Sequence, residues 1–285
     1  MADDLQKPLP FRFLLPATIL VILPVLVFQG CAGKKAKAAA SPYAKYQKFS
    51  NQELYERALH AMKRKHPMQA RNFLDALLIR PMDSVYTPLA RLRIGDSHYI
   101  QGGFTGFMEA IFHYRKFLRR YPRHEKAAYA QYQIGMCHFR RILSPQRDAR
   151  DTEFALLEFQ KVVRLYPESV HAASAKHRIR LCHRKLAERE FAIGKFYYRQ
   201  VEYEAALDRF KGILQNYEEY FEETEFFYYL GETLWALGQR EEGRKYLEMT
   251  IHRDPKSSHA KMARERLAGK PNRQSFWKRV LPPYL

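Results

Sequence analysis

Apolar residues recur along this chain with helical spacing, and small residues interrupt them at regular intervals. The clearest stretch places Phe227, Leu230, Gly231, Leu234, Gly243, Leu247, Thr250 and Pro255 at positions 4, 7, 8, 11, 20, 24, 27 and 32 of a unit of about 34 residues. The unit before it carries Glu190, Ile193, Gly194, Tyr197, Ala206, Phe210 and Ile213 in the same register, with Glu218 where the proline would stand. Large apolar residues at positions 4, 7, 11 and 24 fill the seam between two helices. Small residues at 8 and 20 let those helices cross closely, and proline at 32 ends the second. One such pair cannot bury its own apolar face, so neighbouring pairs must stack.

Three earlier units follow the same code. The first joins Leu54, Ala58 and Ala61 to Ala70, Leu74, Leu77 and Pro81, and opens on Ser50-Asn51-Gln52-Glu53, a capping box. The second uses Ile94, Gly95 and His98, then Ala110, Tyr114, Phe117 and Pro122, around a lengthened turn at Gln101-Gly102-Gly103-Phe104. In the third, Ile134 and Gly135 pair with Ala155, Phe159, Val162 and Pro167 across a polar loop around Ser144-Pro145. No proline lies between Ser169 and Arg199, which predicts one helix of about 30 residues shared by the third and fourth units. His259 to Leu267 reads as a closing helix. The prediction is an all-α solenoid of about five helix pairs with one long shared helix and a C-terminal capping helix. Its modules run over 50–167 and 168–268. The small-residue code resembles the tetratricopeptide repeat (TPR), a unit built for holding other proteins.

The N-terminus follows a different pattern. Phe13 to Phe28 is an uncharged run broken by Pro16 and Pro24, short for a membrane-crossing helix and suited to an export signal. It ends at Gly30-Cys31. This resembles a bacterial lipoprotein signal over residues 1–30, with Cys31 lipidated; Ala32 after it favours transfer to the outer membrane. The other reading is an uncut signal anchor in which Cys31 is incidental. Residues 31–49 hold Lys34, Lys35, Lys37, Lys45 and Lys48 without an acid, and read as a flexible basic tether. Residues 269–285 form a basic aromatic tail.

Composition changes this picture in one respect. The formal charge is +19, with clusters at Lys63-Arg64-Lys65-His66, Arg115-Lys116 with Arg119-Arg120, and Arg140-Arg141. In a cytoplasmic protein such charge suggests nucleic acid. Behind an export signal the fitting anions are lipid head groups, lipopolysaccharide phosphates and acidic partners. Cys137 and Cys182 read as small core residues. The Cys137-His138 and Cys182-His183 neighbours point about 100° apart on a helix and have no close partner motif, so no metal and no cofactor are expected there. The Gly102 to Gly106 loop lacks a Gly-Lys-Ser/Thr ending and reads as a turn. No nucleophile–base set or paired-carboxylate spacing stands out, so an enzyme is not expected. Of the many aromatics most fall at packing positions; Tyr99, Phe107, Tyr129 and Tyr132 are candidates to line a concave groove.

The stretch Leu186-Ala187-Glu188-Arg189-Glu190-Phe191, then Phe196-Tyr197-Tyr198, then Tyr203-Glu204-Ala205-Ala206-Leu207-Asp208-Arg209-Phe210 carries a further likeness. With the lipoprotein signal, the basic tether and three irregular repeats ahead of a shared helix, it resembles the BamD family, lipoproteins of the outer-membrane β-barrel assembly (BAM) machine. The resemblance covers about residues 45 to 255. It implies a non-enzymatic scaffold at the periplasmic face of the outer membrane. Its C-terminal repeats would bind a BamA-like barrel assembly protein, with Arg209 at the contact, and its N-terminal repeats would receive segments of unfolded outer-membrane proteins. The chain departs from the family pattern at Tyr217-Glu218 and Glu202-Tyr203. Two other functions fit the repeats: a periplasmic coordinator of cell-wall synthesis or division, and an uncut membrane-anchored cytoplasmic adaptor touching nucleic acid. On the family reading no nucleic acid is expected.

Overall fold

Five antiparallel helix pairs and one closing helix make up the described part of the chain in a computed structural model. The described residues are 42–81, 84–142 and 149–270. The signal, Cys31, most of the tether, the loop around Ser144-Pro145 and the tail beyond residue 270 lie outside them. The pairs are α1 (Asn51–Lys63) with α2 (Pro67–Leu78), α3 (Tyr86–Gln101) with α4 (Gly103–Arg120), and α5 (Ala127–Arg141) with α6 (Arg150–Leu165). The fourth and fifth are α7 (Val170–Arg199) with α8 (Tyr203–Tyr217), and α9 (Thr224–Ala236) with α10 (Arg240–Arg253). Helix α11 (Ser258–Leu267) covers the end of the stack. The fold is an all-α TPR solenoid, with the long shared helix and the closing helix where the sequence predicts them.

Small residues decide how closely each pair packs. A Cβ added to Gly95 would lie 2.7 Å from the Tyr114 ring, and one added to Gly135 would lie 2.6 Å from the Phe159 ring. The Phe210 ring sits against Gly194 in the same way. At Gly231 the neighbours are Leu247 Cγ at 2.9 Å and the Gly243 carbonyl oxygen at 3.1 Å, so the two backbones themselves are nearly in contact. The rings and side chains that fill these seats (Tyr114, Phe159, Phe210, Leu247) are fully buried.

The first helix of four pairs ends on a left-handed residue: Lys65 (φ 59°), Gly102 (φ 70°), Val201 (φ 70°) and Gly238 (φ 83°). In the first, fourth and fifth pairs the next amide reaches back to close the helix, His66 N–H to the Ala61 carbonyl (2.9 Å), Glu202 to Tyr197 (3.1 Å) and Gln239 to Leu234 (3.0 Å). Val201 thus stands where the next pair uses Gly238. The left-handed residue is the β-branched Val201, one position before the Glu202-Tyr203 departure, and Glu202 itself has φ −85°. The departure at Tyr217-Glu218 replaces a proline stop with a 3₁₀ turn, Glu218–Tyr220.

Two expectations change. The surplus residues of the second unit do not form a loose loop: Gly102 alone separates the helices, and Gly103 already begins α4, lengthening it to 18 residues. Two successive glycines with positive φ (Gly102 70°, Gly103 69°) make this abrupt reversal feasible. The end of the basic tether also packs onto the first pair. Tyr46 is buried with its ring 5.3 Å from Phe73, and the Arg80 guanidinium donates to the Phe49 carbonyl and, at 2.8 Å, to Asn51 Oδ1. Enough apolar surface lies in Tyr43, Tyr46 and Phe49 to hold this segment. The Ser50 cap forms as predicted, with Glu53 N–H donating to Ser50 Oγ (3.1 Å) and Ser50 N–H to Glu53 Oε2 (2.7 Å).

Two stability measurements test this description. Gly231→Leu should cost about 1–3 kcal/mol or more, because the Gly243 backbone cannot swing aside. It should lower Tm and open the last repeats to protease; an unchanged melt would refute the register. Val201→Gly should raise Tm by about 1–4 °C, since a left-handed non-glycine residue costs about 1–2 kcal/mol and glycine's extra unfolded-state freedom returns only part of that. A lower Tm would show that Val201 packing outweighs its backbone cost.

Candidate functional site

Arg209 lies on α8 with its side chain 44% exposed and Nη1 donating to Glu190 Oε2 on α7 at 3.1 Å. Glu190 also accepts from Arg189 Nη1 at 2.7 Å. The pair has a structural origin. Glu190 and Arg209 occupy the same two repeat positions as Phe227 and Tyr246 in the next unit, whose rings stack at 6.3 Å. An ion pair has replaced an aromatic one at the seam. Around it runs a shallow depression lined by Glu190, Tyr197, Ala205, Asp208, Arg209 and Gly212. Gly212 has open space where a side chain would project, which keeps its floor clear. Tyr197 is shared with a second depression lined by Ala192, Lys195, Phe196 and Arg199. Phe196 is more than half exposed there, its ring 5.7 Å from that of Tyr197. An exposed Phe, a Tyr and an Arg side by side are the residue types that dominate protein contacts.

The four groove candidates form two clusters. Tyr99 and Phe107 meet at 5.6 Å between ring centroids, and Arg140 Nε donates to the Tyr99 hydroxyl at 3.4 Å. Tyr129 and Tyr132 both contact the His171 ring, at 5.6 and 5.5 Å. Burial, followed by the charge of Lys126, holds that imidazole below its ordinary pKa. All four residues are half-buried. The hydroxyl of Tyr129 is also committed inward, donating to Asp96 Oδ1 at 2.9 Å beside the Tyr114 hydroxyl at 2.6 Å.

An exposed strip beside this cluster is not among the sequence candidates. Phe104, Met108 and Phe112 follow one another at every fourth position on α4, and all three are exposed. The Arg141 guanidinium sits 4.5 Å from the Phe104 ring and donates to Met108 Sδ at 2.8 Å. The spacing is visible in the sequence, but the residues nearest Gly103 read there as turn. Buried carboxylates are a second feature without a sequence signal. Asp96 accepts from Arg93 (2.7 Å), Glu158 from Lys161 (3.0 Å) and Arg115 (3.2 Å), and Glu232 from Arg266 through two bonds of 2.6 Å. Burial works against a charge on Glu158, but hydrogen bonds from Lys161 and Gln131 prevail and hold its carboxyl below the ordinary range.

Cys137 and Cys182 are free and buried in different apolar clusters, and burial pushes both thiols up to about 12. His138 faces Asp151 at 3.2 Å, and His183 stacks on Tyr220 at 4.5 Å. Among the described residues no helix is long and apolar enough to cross a membrane. Cys31 lies outside the described residues.

Residues 47–267 match the model of the YfiO family, described as outer membrane lipoproteins. The chain belongs to that family. Two relatives are called outer membrane protein assembly factor BamD. That of Caulobacter vibrioides is 28% identical over 228 residues, 80% of this chain and 72% of its own length. That of Rickettsia prowazekii is 25% identical over 233 residues, 81% of this chain and 88% of its own. Among solved structures, the TPR2AB domain of yeast Sti1 aligns over 75% of this chain and 81% of its own at 12% identity, with a TM-score of 0.42. A thermophilic TPR protein of Thermus thermophilus aligns over 77% and 98% at 17% identity, with a TM-score of 0.33. The YfiO match begins within the basic tether, beside the buried Tyr46, and ends at the last residue of α11. Family membership therefore spans both the Arg209 face and the α3–α5 aromatics.

Proposed function

We propose that this chain is a non-enzymatic lipoprotein scaffold of outer-membrane β-barrel assembly. It holds a BamA-like barrel protein on the α7–α8 face around Arg209, and extended segments of unfolded outer-membrane proteins along α3–α5. The family match carries this reading, together with the two relatives named as assembly factors. The residues at each face support it. Arg209, Tyr197 and Phe196 offer a charge beside exposed aromatic surface, the composition of an energetic centre in a protein contact. Along α4 the Phe104–Met108–Phe112 strip, rimmed by Arg140 and Arg141, suits apolar chain segments carrying acidic residues. Attachment to the periplasmic face of the outer membrane falls to the lipid on Cys31, because two or more acyl chains anchor stably where one is marginal.

Arg209→Glu tests the partner face. Reversal removes the bond to Glu190 and sets two like charges beside each other and beside an acidic partner surface. Like charges at an interface cost several kcal/mol, so co-purification of the barrel protein should fall about tenfold or more. Glutamate forms helix as well as arginine does, so the circular-dichroism spectrum should stay helical. A compensating basic substitution on the partner should restore part of the binding. Undiminished co-purification would remove Arg209 from the contact.

Cys31→Ala tests the anchor separately. The repeats should fold as before while the protein leaves the outer-membrane fraction and keeps an unprocessed N-terminus. Normal fractionation of this variant would favour the uncut signal anchor.

A further inference from the structure

Helices α3 and α4 come close near their shared turn: a Cβ on Gly106 would lie 2.9 Å from the His98 carbonyl oxygen. That approach sets the next turn of α4 beside the last turn of α3. Glu109 and His113, four residues apart, share one face of α4 and look onto His98. One ligand-type atom from each of the three lies within 4.8 Å of the others. The two imidazoles stack with centroids 5.1 Å apart and planes 11° from parallel. His98 Nδ1 is sealed from solvent and has no hydrogen-bond partner. A buried polar atom without a partner is costly, and an electrophile would satisfy it.

We propose that His98, Glu109 and His113 form a binding site for a divalent first-row transition metal of the zinc type. Two imidazoles and one carboxylate are a ligand set that suits zinc and its neighbours and leaves one coordination position to water. Zinc holds such ligands at about 2.0–2.2 Å, which brings their donor atoms to about 3–3.5 Å of one another. Closing to that spacing requires the side chains to rotate so that the two stacked rings turn their lone pairs toward a common point, and Glu109, which is exposed, is free to follow. Burial lowers the pKa of both imidazoles, His98 to about 4, which favours the neutral ring that can ligate. Arg71 on α2 and Lys116 on α4 also act on these rings and oppose a further positive charge. Arg71 is drawn aside by Gln101 Oε1 at 2.9 Å and Ser97 Oγ at 3.4 Å, and the Glu109 carboxylate offsets the remainder. The site lies apart from both cysteines considered earlier and from the Arg209 face.

Zinc binding by the full-length protein in detergent, read by competition with a chromophoric chelator, tests the proposal. One saturable equivalent is expected in the wild type, with a Tm that rises as zinc is added. His98→Gln and His113→Gln should each weaken binding by more than the roughly 10–100-fold that losing an outer-shell partner costs, and abolish the Tm rise. Glu109→Gln, at an exposed position that does not threaten the fold, should weaken it about tenfold. His60→Gln, an exposed histidine on α1, should bind like the wild type. The proposal fails if the wild type shows no saturable binding at micromolar zinc, or if Glu109→Gln and His113→Gln both bind as tightly as the wild type.

Discussion

The seat of a ring on a glycine governs this solenoid. In the second, third and fourth pairs an aromatic side chain of the second helix (Tyr114, Phe159, Phe210) packs directly against a glycine of the first. Were any of these glycines an alanine, its Cβ would occupy the ring's own volume, and the helices would have to separate. Separation would open the seam along its length, because core atoms lose contact energy over gaps of less than an ångström. The first pair has no glycine at this position; Ala58 and Leu74 stand there instead, both fully buried in one apolar cluster. The fifth has Gly231 opposite Leu247, where Gly243 lets the backbones approach further still.

Apolar stacking alone does not tell one pair how to sit on the next, since it is non-directional. Buried carboxylates supply direction here. Asp96 on α3 ties to Tyr114 on α4 and Tyr129 on α5, and its partner Arg93 reaches Tyr55 on α1 at 3.2 Å. Glu158 on α6 binds Gln131 on α5 and Arg115 on α4. Glu232 on α9 takes Arg266 from α11 and Tyr198 from α7. Each acid therefore joins three helices drawn from at least two pairs. Fully bonded, such groups fix a register, whereas losing one partner strands a charge in the core.

Much of this fold is legible in the sequence because its determinants are local. The Ser50 cap and the proline-free stretch that forms α7 act within a few residues of their own position, and the glycines at the crossings recur at a fixed place in each repeat, so their partners on the next helix follow from the register. What escapes such a reading depends on distant neighbours. Asp96, Glu158 and Glu232 look like solvent-facing acids until the helices that bond them are in place. Val201 carries no sign of a left-handed conformation, because the preference belongs to the turn and not to the residue. Gly102-Gly103 signals a loop, while the structure uses both residues to start α4 a turn early and so produces the exposed Phe104–Met108 strip. At the candidate site, Glu190 does carry a readable signal: a charge at a position that is apolar in the next unit implies a partner across the seam, and Arg209 is that partner.

Helix α7 gives the proposed scaffold its mechanical logic. Its first half contributes Ala175 and Cys182 to the core of the third pair, and its second half contributes Ala187, Phe191 and Tyr198 to the core of the last two. Thirty residues of helix extend about 45 Å, and the absence of proline removes the usual place for a bend. A protein held at Glu190–Arg209 and a chain segment held along α3–α5 would then be kept at a fixed separation. Such rigidity suits a component that presents one protein to another without chemistry of its own. Conversely, any signal passing between the two faces would have to shift α7 as a body, and so disturb the Glu232–Tyr198 bond that ties it to the closing repeats.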